Sequence, residues 1–155
     1  MSDISTLKNK INTKTFPLLL LGLLTGGIYL YIWMYKTFTA LEEVTHFKTM
    51  SPAFFACYLT IIGSIGYLGL VPLFFALALI GVLIILFMIL TLLWCFRARR
   101  ALRAYALVEH NFELRMGLVF TGLFGFYYVN YCINALPRDK QKHEEKKLKK
   151  QAIQA

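Results

Sequence analysis

The chain has 155 residues, of which 58% are hydrophobic and 16% charged, with a formal net charge of +9. A soluble domain carries about 25% charged residues, and here the charges are gathered in blocks, which excludes an ordinary water-soluble globule. No Asp, Glu, Lys or Arg occurs in 15–35, 49–96 or 116–137. A helix that crosses a bilayer needs roughly 20 apolar residues. The first and third windows hold one such segment each, and the longer middle window holds two. The sequence therefore predicts an all-α integral membrane protein with four hydrophobic helical segments.

Residues 1–15 are polar and basic, with Lys8, Lys10 and Lys14. No small-residue cleavage pattern follows, so the first apolar segment, 16–35, is expected to stay in the mature protein. The stretch "LLLLGLLTGGIYLYIWMYK", 18–36, which makes up most of it, is interrupted at Thr25-Gly26-Gly27 and restarts as an aromatic helix. Residues 36–51 read as a short helical extension, and Ser51-Pro52 as a start signal, because Pro suits a first helical turn. Pro52 to about Tyr67 and Pro72 to Phe96 form a predicted transmembrane hairpin. Its turn is 66–72, where Gly permits reversal and Pro cannot continue a helix.

The stretch "RARRALRAYALVEHNFELR", 97–115, places Ala98, Leu102, Tyr105 and Phe112 at three- and four-residue steps. It predicts a basic amphipathic helix leaving the membrane, with Arg97, Arg99, Arg100 and Arg103 as contacts for anionic lipid. Arg97, Arg100 and Arg103 share one face. The last apolar segment, "MGLVFTGLFGFYYVNYCINAL", contains further breaks at Gly122 and Gly125. The remainder, 138–155, is a basic tail with helical spacing of Glu145 and Lys149. The organisation expected is a single membrane domain, 1–137, followed by a basic cytoplasmic tail, 138–155.

The outer two segments resemble each other: Gly27-Ile28-Tyr29 aligns with Gly125-Phe126-Tyr127, each after a Thr-Gly pair (Thr25-Gly26, Thr121-Gly122). Two topologies follow. If all four segments cross, ten of the 17 Lys and Arg residues lie on one side and seven on the other. If the outer segments re-enter at their Gly breaks and only the central hairpin crosses, all 17 lie on one side. The positive-inside tendency favours the second arrangement, with both termini cytoplasmic. Spanning helices with Gly at a packing face remain the alternative.

The apolar windows contain no Asp, Glu or His, so they carry no carboxylate pair, proton relay or nucleophile–base set. No phosphate-loop motif occurs. Cys57, Cys95 and Cys132 are widely spaced and read as free thiols without disulfide or metal. Thr25, Asn130 and Asn134 are the polar groups able to line a pore or to join helices. No catalytic residue, cofactor or metal site is expected.

At Thr25-Gly26-Gly27-Ile28-Tyr29-Leu30-Tyr31-Ile32-Trp33 the chain resembles small bacterial inner-membrane proteins of the domain-of-unknown-function 4234 class and of the YjgN type. Their signature is Thr-Leu-Gly-Ile-Tyr followed by an aromatic-Trp pair. Gly26 replaces the usual Leu, and the second aromatic is shifted to Tyr31. Asn130-Tyr131-Cys132-Ile133-Asn134 is similar to the ending of the last segment in the former class. The resemblance implies a multi-pass location in the inner membrane and no particular activity.

The expected function is thus a non-enzymatic membrane component, an oligomeric or accessory subunit of a membrane complex. Its expected partners are anionic lipid headgroups and a second copy or a larger membrane protein, without nucleic acid. A small oligomeric channel and a membrane-shaping wedge are the two alternatives.

Overall fold

In the computed structural model, which describes residues 4–65, 67–70 and 72–154, the chain forms six α-helices and one short 3-10 turn, with no strand among the described residues. The helices are α1 (Ser5–Ile11), α2 (Thr15–Leu24), α3 (Ile28–Thr45), α4 (Pro52–Ile65), α5 (Leu73–His110) and α6 (Leu118–Gln154), with the 3-10 turn at Leu68–Leu70. The turn expected at 66–72 includes Gly66 and Val71, which lie outside the described residues.

Helix α5 is long and apolar enough to cross a membrane; only 6% of its most apolar 18-residue window is buried. At 1.5 Å per residue its 38 residues extend about 57 Å. That is nearly twice the ~30 Å hydrocarbon core, so the helix continues well past any membrane it crosses. Burial changes sharply along it. From Leu73 onward its large side chains face outward, whereas Trp94, Cys95, Ala98, Leu102 and Tyr105 are buried. Helix α4 lies beside α5, and the Tyr58 hydroxyl is 3.0 Å from Thr91 Oγ1. Ser51 starts α4 as anticipated, its Oγ accepting from the Phe54 N–H at 3.1 Å.

The core sits at the charged end of the molecule. Leu7 and Ile11 of α1, Met34 and Leu41 of α3, Leu102 of α5 and Ile133 of α6 are each at most 1% exposed. Further along α2, α5 and the start of α6, large apolar side chains point out: Leu24 is 76% exposed, Phe74 79% and Val119 70%. Such a distribution is unstable in water, where contiguous apolar patches stay small. It is the distribution expected where lipid replaces water around one end.

Two expectations need correction. The amphipathic helix does not run to Arg115: α5 stops at His110, where Asn111 adopts a left-handed conformation. Residues 111–117 are non-helical and alternate strictly, with Phe112, Leu114 and Met116 buried between exposed neighbours. A two-residue period marks extended chain, and Phe112 belongs to it rather than to the helix. Likewise 36–51 is helical only to Thr45, where His46 turns left-handed. The basic tail is helical as its spacing predicts: α6 continues through Pro137 as far as Gln154.

Candidate membrane-facing hairpins and cationic base

The break in the first apolar segment is a chain reversal closed by its own backbone. The Gly26 N–H bonds the Leu23 carbonyl at 3.2 Å and the Gly27 N–H bonds the Gly22 carbonyl at 2.7 Å. With Gly26 left-handed (φ 58°), this is the paired bonding of a Schellman helix ending. Gly27 follows with φ 92°, a conformation that L side chains avoid. Thr25 then serves both helices. Its hydroxyl donates to the Leu21 carbonyl at 2.7 Å and accepts from the Tyr29 N–H at 3.0 Å, which caps α3. Thr-Gly-Gly thus supplies partners within the chain for the backbone groups of the turn. The two limbs stay close: a methyl group at Gly22 would stand 3.3 Å from Leu30 Cγ and 3.3 Å from the Tyr127 hydroxyl.

The last segment reverses in the same register. Gly125 (φ 44°, ψ −117°) interrupts α6 between 118–124 and 126–154. The Tyr128 hydroxyl accepts from the Gly117 N–H at 3.1 Å, and the Phe120 and Tyr128 rings lie 5.8 Å apart. Eight residues of straight helix would separate those rings by about 12 Å, so the limbs fold back on each other. Gly27 and Gly125, aligned by the internal resemblance, are the equivalent breaks. Gly122 is not one: it lies within the helical run, and Thr121 Oγ1 donates to the Gly117 carbonyl as in an ordinary helix.

The polar residues of the last segment join helices. Asn130 is fully buried, and its amide donates to the Thr13 carbonyl at 3.0 Å and to Thr15 Oγ1 at 3.3 Å. Asn134 donates to the same Thr13 carbonyl at 2.9 Å and to the Asn130 carbonyl at 2.9 Å. Both side chains therefore hold the connection between α1 and α2 against α6. Thr13, the acceptor both share, carries no sequence signal of its own.

Three contacts bring the flanks of the apolar segments together. Lys10, before the first segment, forms an ion pair with Glu43 after it. Phe112, before the last segment, stacks edge-on with His143 after it, ring centres 6.3 Å apart. Arg97, which follows the central hairpin, sits over the ring of Phe54 at its start, 6.0 Å from the centroid.

The four arginines divide by role. Arg99 is half-buried and donates from Nε and Nη2 to the Met116 carbonyl at 3.0 and 2.8 Å, which pins the extended segment to α5. Its guanidinium thus has a structural partner within the protein. Arg103 lies 3.6 Å from Glu113, while Arg97 and Arg100 are exposed. Cys95 and Cys132 are buried and Cys57 is exposed, all as free thiols. Among the described residues, no group of three or more His, Cys, Asp and Glu side chains is placed to hold a metal ion. No protein-family model, curated protein or solved structure matches the chain.

Proposed function

We propose that this chain is a non-enzymatic membrane protein that inserts from one side and acts as a wedge in one leaflet. The observation that carries the reading is the return of every apolar segment to the same charged end, seen in the Lys10–Glu43, Phe112–His143 and Arg97–Phe54 contacts. Four crossings would put Lys10 and Glu43 on opposite faces of the bilayer.

The outer hairpins are shallow. Helix α2 has 10 residues and spans about 15 Å, half of the ~30 Å hydrocarbon core. The 118–124 limb is shorter still. The central hairpin, with α5 long enough to cross, goes through. The near leaflet then holds six helical limbs and the far leaflet two. Each limb occupies a cylinder about 10 Å across, so insertion expands the near leaflet roughly threefold more than the far one. A leaflet expanded in this way becomes the convex face.

In the bacterial inner membrane that the resemblance implies, the positive-inside tendency turns the charged end, and both termini, to the cytoplasm. Arg97, Arg100 and Arg103 then lie at the headgroups, each contributing about 1 kcal/mol of attraction to an anionic surface. The buried placement of Asn130 against Thr13 argues against a hydrated pore along that helix.

Reconstitution of the full chain into unilamellar vesicles at rising protein density tests the wedge. The expected result is a fall in vesicle radius by electron microscopy without ion leakage. Unchanged vesicle shape would refute the wedge, and ion flux abolished by Asn130→Ala would replace it with a channel.

A further inference from the structure

A cavity lies outside the apolar hairpins, between the extended segment and the far half of α6. It is an open cleft of about 780 Å³. Phe112 and Leu114, both buried, form its floor on one side. Its cations are Arg115 on the extended segment and Lys142, Lys146, Lys147, Lys149 and Lys150 on α6. Helical spacing puts these five lysines on one arc of α6. Glu144 and Glu145 fall outside the lining, and Glu144 pairs with Lys140 at 3.9 Å.

The two acids that do line the cleft face arginines elsewhere. Glu113 lies 3.6 Å from Arg103 and Asp139 lies 3.8 Å from Arg138. Among the described residues, no carboxylate comes within ion-pairing distance of the six lining cations. Lysines at i and i+4, as Lys142–Lys146 and Lys146–Lys150 are, repel one another along a helix. None of the ion pairs among the described residues offsets that repulsion, and a bound anion would.

We infer that this cleft is a binding site for clustered phosphate groups, gripped between Arg115 and the lysine arc of α6. Arginine suits phosphate through paired donors, and lysines flanking it add charge without fixing one geometry. The cleft is within the size range of small-molecule sites. The phosphates belong either to an anionic lipid, since Arg115 adjoins the start of the last hairpin, or to a soluble polyphosphate compound. The inference does not depend on the wedge reading, because the cleft lies wholly on segments outside the apolar hairpins.

The test uses the full chain in neutral detergent at fixed ionic strength. One arm titrates inorganic tripolyphosphate by calorimetry; the other measures retention of phosphatidylglycerol against phosphatidylcholine by native mass spectrometry. The variant Lys142→Gln/Lys146→Gln/Lys150→Gln is compared with Lys8→Gln/Lys36→Gln/Lys48→Gln, which removes equal charge elsewhere, and Arg115→Gln probes the opposite wall. The expected result is a loss of more than about tenfold in at least one arm for the cleft variants, with the control changed less than about threefold. The arm that responds identifies soluble or lipid phosphate. Equal losses in the cleft and control triple variants, or binding in neither arm, would overturn the site.

Discussion

Replacing Gly27 by Ala isolates the cost of the chain reversal from any steric clash. The added methyl would meet only the Tyr31 hydroxyl, at 3.9 Å, an ordinary contact. What remains is backbone strain at φ 92°, which for a non-glycine residue costs about 1–3 kcal/mol. Gly81 provides the matched control: it is helical, nothing lies within 4 Å of its would-be methyl, and Ala there gains about 1 kcal/mol of helix propensity. Two single-methyl changes should thus differ by about 2–4 kcal/mol. For a chain of this size that separates their unfolding midpoints by on the order of 10 °C. Thermal unfolding in one detergent reads the difference directly, and Gly26→Asn, at a left-handed position that Asn tolerates, should fall close to the parent. A spin-label distance between positions 16 and 35 adds a geometric check. A continuous helix would hold them about 28 Å apart, and the reversal brings them well inside that. Equal midpoints for Gly27→Ala and Gly81→Ala, or the long distance in the parent, would refute the reversal.

Gly125→Ala should cost more than Gly27→Ala in the same assay, because ψ −117° at positive φ lies outside even the left-handed helical region. Asn130→Ala and Asn134→Ala should each lose about 1 kcal/mol beyond any cavity, and the double variant more than their sum. Thr13's carbonyl keeps one donor in either single change and none in the double; a coupling energy of zero in the double-mutant cycle would contradict this. Arg99→Gln should destabilise by about 1.5–3 kcal/mol through its charged hydrogen bonds to Met116. Arg100→Gln, at an exposed side chain, should be near neutral in detergent; matching unfolding curves for the two variants would refute the division of roles.

Charge placement made much of the helical layout legible: the uncharged windows contain α2 with the start of α3, α4 with most of the apolar part of α5, and the first part of α6, and Ser51-Pro52 locates the start of α4. The Thr-Gly-Gly break was readable as one of two uses of glycine in an apolar run, a turn or a helix-packing face, and the positive φ of Gly26 and Gly27 decides for the turn. In the last segment Gly122 and Gly125 have similar neighbours, and only the alignment of Gly125 with Gly27 separated them; the non-helical backbone falls at Gly125. The extended segment is not legible in the sequence because Phe112, taken with Leu102 and Tyr105, fits a helical step as well as an alternating one. The left-handed Asn111 decides between them, and its conformation comes from the cap. Arg99 is chemically identical to its neighbours; only the course of the extended segment beside α5, which brings the Met116 carbonyl within reach, commits it to that contact. The cationic cleft was visible as a lysine-rich tail, but its second wall was not, because the wall exists only where the extended segment runs back beside α6.

Side-specific labelling of single cysteines tests the central claim most directly. In a variant lacking Cys57, Cys95 and Cys132, a cysteine is placed in turn at Asn9, Lys48, Glu113 and Leu70, all exposed positions. Sealed vesicles of known orientation are then treated with a membrane-impermeant reagent. One-sided insertion predicts that positions 9, 48 and 113 label from the same face and position 70 from the opposite one. Labelling of positions 48 and 113 from the face opposite to position 9 would restore four crossings and contradict the account.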